Sequence, residues 1–277
     1  MKNLDLTVGI DEYLLKRLMP VKGAIPDIPG IEMYGCSVPA GVVGGDLFKY
    51  INFQQRYNIE ARTERACRLS RQAVEGRWPE DWIEWLRARP DYQPAAETAF
   101  RRAASLQQVR IAENLRDLSR TAGVLLVDAQ GHGIISAKIA STVHDTFHAS
   151  MLSELDHHGK TTPELFEQIN IRLAHSVTAR NALGSTELGE TREIATMLYG
   201  EIGSTGHFRF VNFGHPPPLI FSADRGMFTE VDREGMVQFP PLGLEVPEDH
   251  PDRNRYSSAG FRQREARQFQ VVYLMCT

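Results

Sequence analysis

Two aspartates beside glycine-rich turns could do chemistry. Asp128 ends the apolar run Val124–Val127 and precedes the turn Gly131-His132-Gly133, whereas Asp46 follows the pair Gly44-Gly45. Hard cations such as Mg²⁺ and Mn²⁺ prefer carboxylate, carbonyl and water oxygens. A single aspartate here could equally cap the helix expected near His132. The pair instead indicates carboxylates that bridge metal ions, which would activate water and clamp a phosphoryl group.

Other motifs support different chemistry less well. His132 and His215 suggest zinc, but no His-x-x-x-His pair lies beside a glutamate and no thiolate cluster is present. His144 and His148 are spaced i,i+4 and flank an apolar stripe, so we interpret them as surface residues of an amphipathic helix. Ser136 lacks the Gly-x-Ser-x-Gly elbow of a serine hydrolase. The glycine-rich turns also lack the spacing of a P-loop or a dinucleotide fingerprint.

Composition limits the classes of partner. The chain has 277 residues, 42% of them hydrophobic, and a formal net charge of −4. This charge gives no basic field for nucleic acid, and no segment reaches the ~18 apolar residues of a membrane helix. Three widely spaced cysteines and the absence of a secretory signal are typical of a reducing compartment. We therefore expect a cytoplasmic protein with no nucleic-acid or membrane partner.

The elements that would position these aspartates form three groups along the chain. A short helix over 10–19 and two strands over 31–39 and 47–51 come first. Residues 54–120 are rich in Arg, Glu, Ala and Gln and predict helices, with breaks near Gly76–Pro79 and Pro90–Pro94. We interpret Trp82 and Trp85 as anchors of a small helical core; the alternative is an exposed docking face.

The second half predicts a strand, two helices and then antiparallel strands. The run 123–129 is apolar enough for a strand buried on both faces. The first helix has one stripe of apolar residues every four positions, and the second has Thr162 as N-cap and Pro163 as its first residue. The stripe consists of Ile135, Ile139, Val143, Phe147 and Met151.

The last third predicts β structure. A hairpin with the loop Gly203–Gly206 is followed by strands over 216–222 and 269–275, and 243–268 is expected to be a loop. Strands that are grouped apart from paired helices favour an α+β layered domain.

Five motifs in order carry a family resemblance. They are "VPAGVVGGDLFKY", "VLLVDAQGHG", "IATMLYGEI", "VNFGHPPPLIF" and "PPLGL". This series resembles the SpoIIE/RsbU-type serine phosphatases, the bacterial branch of the PPM (protein phosphatase 2C-like) metal-dependent phosphatases. The resemblance covers most of the chain except 54–120 and the polar stretch after 244.

The resemblance implies a fold and a metal site. It implies one PPM-type domain over 1–277, built as a four-layer αββα sandwich of antiparallel sheets. Residues 1–20 would be a connector helix and 54–120 a helical insert, either regulatory or inert. Asp46 and Asp128 would be catalytic metal ligands for two Mn²⁺ or Mg²⁺ ions, and the main-chain carbonyl of Ala129 would add a ligand.

The sequence departs from the family pattern at its C-terminus. A further metal aspartate is expected directly after the strand that ends near Thr277, and another beyond it. Neither is present in this sequence. The C-terminus is therefore expected to be truncated and the two-metal site incomplete.

The resemblance implies hydrolysis of phosphoserine or phosphothreonine on a regulatory partner protein, such as an anti-anti-sigma factor of the STAS fold. The alternative is a catalytically inactive phosphatase-fold module that binds a partner. A third hypothesis is a single-metal hydrolase of small phosphoesters. The substrate protein, the activating signal and whether the chain forms a homodimer stay open.

Overall fold

The computed structural model describes ten segments of the chain. They are residues 25–35, 44–77, 80–90, 92–131, 133–182, 193–222, 225–230, 239–244, 264–266 and 271–273. The connector helix expected within 1–20 lies outside these residues.

A five-stranded antiparallel sheet has the order β1-β2-β3-β4-β7. Its strands are β1 (Asp46–Asn52), β2 (Thr121–Ala129), β3 (Ala195–Gly203), β4 (Phe208–Phe213) and β7 (Arg264–Ala266). Residues 122–127 of β2 are all buried, and this strand is hydrogen-bonded to β1 along one edge and to β3 along the other. The buried strand predicted from the apolar run is confirmed.

A second antiparallel sheet has three strands in the order β6-β5-β8. They are β5 (Leu219–Ser222), β6 (Met227–Glu230) and β8 (Val271–Tyr273). The strands predicted over 216–222 and 269–275 are confirmed, at 219–222 and 271–273. The loop expected over 243–268 is wrong at 264–266, where β7 pairs with β4.

Two helices cover one face of the five-stranded sheet. They are α5 (Ile134–His157) and α6 (Pro163–Ala182). The rings of Phe147 in α5 and Phe166 in α6 lie 5.1 and 5.7 Å from that of Tyr199 in β3, and all three side chains are buried. The predicted apolar stripe of α5 is confirmed from Ile139 onward, but Ile135 in the first turn is 58% exposed.

A second compact unit comprises residues 53–120 and 152–161. Its helices are α1 (Phe53–Tyr57), α2 (Ile59–Val74), α3 (Glu80–Arg87) and α4 (Pro94–Leu118), and the end of α5 completes it. The interpretation of Trp85 as a buried anchor is wrong, since its side chain is 56% exposed. Leu86 beside it is buried instead.

Antiparallel sheets combined with helices confirm the α+β fold class predicted from the sequence. The strand predicted over 31–39 is wrong for its described part, where Ile31 makes only an isolated bridge with Ile28. Within the described segments, no helix is long and apolar enough to cross a membrane.

Candidate metal centre

Asp46 and Asp128 lie opposite each other on neighbouring strands. Asp46 is the first residue of β1, and its register partner in β2 is Asp128. Directly opposite residues project to the same face of a sheet with Cβ atoms about 5 Å apart. Tyr199 belongs to the other face by alternation along β3. The carboxylate pair is therefore on the face opposite to the one covered by α5 and α6.

Glycine at position 45 permits this arrangement. A Cβ at Gly45 would lie 2.6 Å from the carbonyl oxygen of Ala129 and 2.8 Å from Cβ of Ser136. The Ala129 N–H donates to the Gly45 carbonyl at 3.2 Å. The chain before Asp46 thus packs closely against the end of β2 and the first turn of α5, with the Ala129 carbonyl oxygen next to Gly45.

The turn after β2 depends on two more glycines. Gly131 and Gly133 have φ values of 93° and 77°, in the left-handed region that favours glycine. The helix after this turn begins at Ile134. His132 between the glycines lies outside the described residues.

Burial and mutual repulsion disfavour the ionised pair. Burial raises the pKa of Asp46, and a side-chain hydrogen bond with Asp128 acts in the opposite direction. Burial also raises the pKa of Asp128, as do the negative charge of Asp46 and the hydrogen bond between them. Two half-buried carboxylates this close repel each other when both are ionised, and a cation between them would relieve that repulsion.

The donors fit a hard cation. Asp46 and Asp128 offer carboxylate oxygens and Ala129 a carbonyl oxygen, which is the set that Mg²⁺ and Mn²⁺ prefer, with water completing the shell. Among the residues that the structure describes, no group of three or more His, Cys, Asp or Glu side chains could hold a metal ion.

A buried network of hydrogen bonds lies beside the two aspartates, and the sequence analysis did not predict it. Thr196 of β3 is the register partner of Asp128, and its hydroxyl is hydrogen-bonded to Nδ1 of His215 at 2.9 Å. The Asn212 side chain accepts from the His215 N–H at 2.8 Å and donates to the His215 carbonyl at 2.7 Å. Asn212 and His215 are buried, so these hydrogen bonds hold His215 in place next to Thr196. The Asn-x-x-His spacing was the available signal.

The remaining sequence candidates have structural roles. Ser136 is buried and its hydroxyl donates to the Gly133 carbonyl at 2.9 Å. The interpretation of His144 as a surface residue is wrong, because it is only 9% exposed. Its ring lies 4.5 Å from that of His148 and within 3.1 Å of the Asp145 carboxylate.

Comparison with known families decides the membership of the chain. Residues 119–260 match the family model described as stage II sporulation protein E (SpoIIE), which is just over half of the sequence. The chain belongs to the SpoIIE family. The SpoIIE match begins just before β2, so it includes Asp128 and Ala129 but not Asp46. The resemblance to SpoIIE/RsbU-type PPM phosphatases is thereby confirmed.

Other comparisons add little. The crystal structure of the RsbU and RsbW domains of Rv1364c from Mycobacterium tuberculosis aligns at 24% identity and a TM-score of 0.34. The alignment covers 53% of this SpoIIE-family chain. It covers 32% of the RsbU–RsbW chain, which is about a third of that protein's length. A search of curated proteins found no significant match.

Proposed function

We propose that this SpoIIE-family chain is a metal-dependent serine/threonine protein phosphatase. The proposal depends on one observation above all, which is the placement of Asp46, at the start of β1, opposite Asp128, near the end of β2. Family membership supports the same chemistry. The target would be phosphoserine or phosphothreonine on a regulatory partner protein.

The residues of the chain would hold the metal in position and would form no covalent bond with the phosphoryl group. Asp46 and Asp128 would bind Mn²⁺ or Mg²⁺ through their carboxylates, with the Ala129 carbonyl as a further ligand. When bound, the metal would supply an activated water and offset charge on the phosphoryl oxygens. Glycine at position 45 leaves room for the Ala129 carbonyl oxygen next to the residue that precedes Asp46.

Family membership supports a proposal for the partner protein and for the organisation of the domain. We propose an anti-anti-sigma factor of the STAS type as the phosphorylated protein, and the cytoplasm as the compartment. We further propose that the phosphatase domain extends over 1–277 and that 54–120 is an insert within it. The helices α1 to α4 between β1 and β2 support this division.

The test is hydrolysis of a phosphoserine peptide and of p-nitrophenyl phosphate at millimolar Mn²⁺. Turnover by the unmodified chain should be lost in Asp46→Asn and Asp128→Asn and kept in Asp27→Asn, which changes the same charge at an exposed position. Turnover that survives both aspartate substitutions would refute the assignment.

Two other outcomes select the alternatives. A folded chain that binds a STAS-type protein without turnover would establish the inactive binding module. A strong preference for p-nitrophenyl phosphate over the phosphopeptide would favour a hydrolase of small phosphoesters.

A further inference from the structure

An open cavity in the helical unit has no role in the proposed phosphatase. It measures about 420 Å³, within the range of small-molecule sites. One face of α2 and one residue of α4 provide its lining, which consists of Thr63, Glu64, Cys67, Arg68, Arg71 and Arg116. All six belong to the same compact unit.

The lining carries an excess of positive charge. Three guanidinium groups oppose the single carboxylate of Glu64, and arginine stays protonated at any physiological pH. The cations of 53–120 are thirteen arginines and no lysine, against ten carboxylates. The excess of two positive charges in the lining matches a doubly charged anion.

The three cavity arginines differ in their ion-pair partners from two other arginines of α2. Arg62 forms an ion pair with Asp156, and Arg65 lies 3.6 Å from the same carboxylate. Within the segments that the structure describes, none of the three cavity arginines forms an ion pair with a carboxylate. Their charge is therefore not offset by the described protein groups.

Hydrogen bonds hold two of these arginines at the cavity. Arg116 donates from Nη2 to Sγ of Cys67 at 3.3 Å, and Arg71 donates from Nε to the Cys67 carbonyl at 3.4 Å. A guanidinium group has five N–H donors, so each of these contacts uses only one. The other donors can contact a ligand without loss of these bonds.

The two helices form a packed support for the site. The hydroxyls of Ser70 in α2 and Ser105 in α4 are hydrogen-bonded at 3.0 Å, and both residues are buried. Ala66 and Ala104 are buried beside them. Small side chains allow the helices to approach closely, so the cavity arginines extend from a fixed backbone.

We propose that this cavity binds a small anion that carries phosphate. Arginine is suited to phosphate because its planar fork donates two parallel hydrogen bonds to phosphoryl oxygens. A phosphate group also carries close to two negative charges at neutral pH. The proposal is independent of the phosphatase activity, since it uses no residue of the metal centre.

The first experiment is calorimetric titration of the full chain at low ionic strength with pyrophosphate, inorganic phosphate and acetate. Divalent cations are removed, so that the carboxylate pair does not contribute. Saturable binding of the two phosphate probes, and none of acetate, is expected. Saturable binding of acetate with equal affinity, or no binding of pyrophosphate, would overturn the proposal.

Matched double substitutions separate a site from general electrostatics. The variant R68Q/R116Q removes two cavity guanidinium groups and should weaken pyrophosphate binding about tenfold or more. The variant R102Q/R110Q removes the same charge from exposed positions of α4 outside the cavity and should change affinity less than about twofold. Equal losses in the two variants would show nonspecific attraction and refute the site.

The thiol of Cys67 gives a second readout that needs no substitution. Cys67 is a free, half-buried cysteine in the cavity lining. Pyrophosphate should slow its alkylation by iodoacetamide, measured by peptide mass spectrometry with Cys36 and Cys276 as internal references. If saturating pyrophosphate leaves the rate of Cys67 alkylation unchanged, binding in this cavity is contradicted.

Discussion

Substitution of Asp128 by Asn should change stability in opposite directions with and without metal. Burial and the neighbouring Asp46 charge raise the pKa of Asp128, so its ionised form is disfavoured in the folded chain. At neutral pH and without metal, Asp128→Asn should therefore stabilise the fold. An amide at this position can also donate a hydrogen bond to the Asp46 carboxylate.

The expected magnitude follows from the cross-strand geometry of the pair. Two charges about 5 Å apart at an effective dielectric constant of about 20 repel by about 3 kcal/mol. Both carboxyls are partly exposed, and solvent screening lowers this gain to about 1 kcal/mol. That free energy corresponds to an increase in Tm of about 2–4 °C for a domain of this size.

Metal should reverse the order of the two proteins. A ligand at about 100 times its Kd stabilises the folded state by about 2.7 kcal/mol. Mn²⁺ should therefore raise the Tm of the unmodified chain by about 5–10 °C, and that of Asp128→Asn far less, because one carboxylate ligand is lost.

Thermal unfolding at pH 7.5, with chelator and with a series of Mn²⁺ concentrations, measures both effects. Asp27→Asn is the control for charge, since Asp27 is exposed. The reasoning fails if metal-free Asp128→Asn melts at or below the unmodified chain. It also fails if Mn²⁺ raises both Tm values equally.

Three further substitutions test the packing around the site. Gly45→Ala should lower the free energy of unfolding by about 1–3 kcal/mol, because its Cβ would lie 2.6 Å from a neighbouring carbonyl oxygen. In the control Gly203→Ala, the new Cβ would lie 3.7 Å from the nearest atom. This control should change the free energy of urea unfolding by less than about 0.5 kcal/mol. Asn212→Ala should lower the free energy of unfolding by about 2–4 kcal/mol, because it leaves two buried backbone groups unpaired. The control Asn114→Ala removes one solvent-accessible hydrogen bond and should lower it by about 1 kcal/mol or less. Phe147→Ala should cost about 3–5 kcal/mol because its fully buried ring packs on the sheet; a cost below about 1 kcal/mol, measured in the same way, would contradict that packing.

The sequence by itself determined the local elements near the site. The apolar run before Asp128 predicted a strand buried on both faces, and β2 is a central strand whose residues 122–127 are all buried. Thr162 and Pro163 predicted the start of α6 correctly. These signals are local, since periodicity and capping act within a few residues of chain.

Local signals failed where burial depends on distant packing. Ile135 belongs to the periodic stripe but is exposed, whereas His144 only flanks the stripe and is buried. Trp85 is apolar and large yet lies at the surface. Periodicity predicts which residues share a helix face, but the extent of the partner surface decides how many of them are covered.

The tertiary structure decided the candidate site. Asp46 and Asp128 are 82 positions apart in the sequence, and only the antiparallel register of β1 and β2 makes them neighbours. The sequence motifs nominated both aspartates through their glycine-flanked turns, but the motifs contain no distance. The register of β2 and β3 likewise brings Thr196, and through it His215, to Asp128. Pairing between strands is a long-range property of the chain, and this is why the sequence indicated the two aspartates while the fold brought them together.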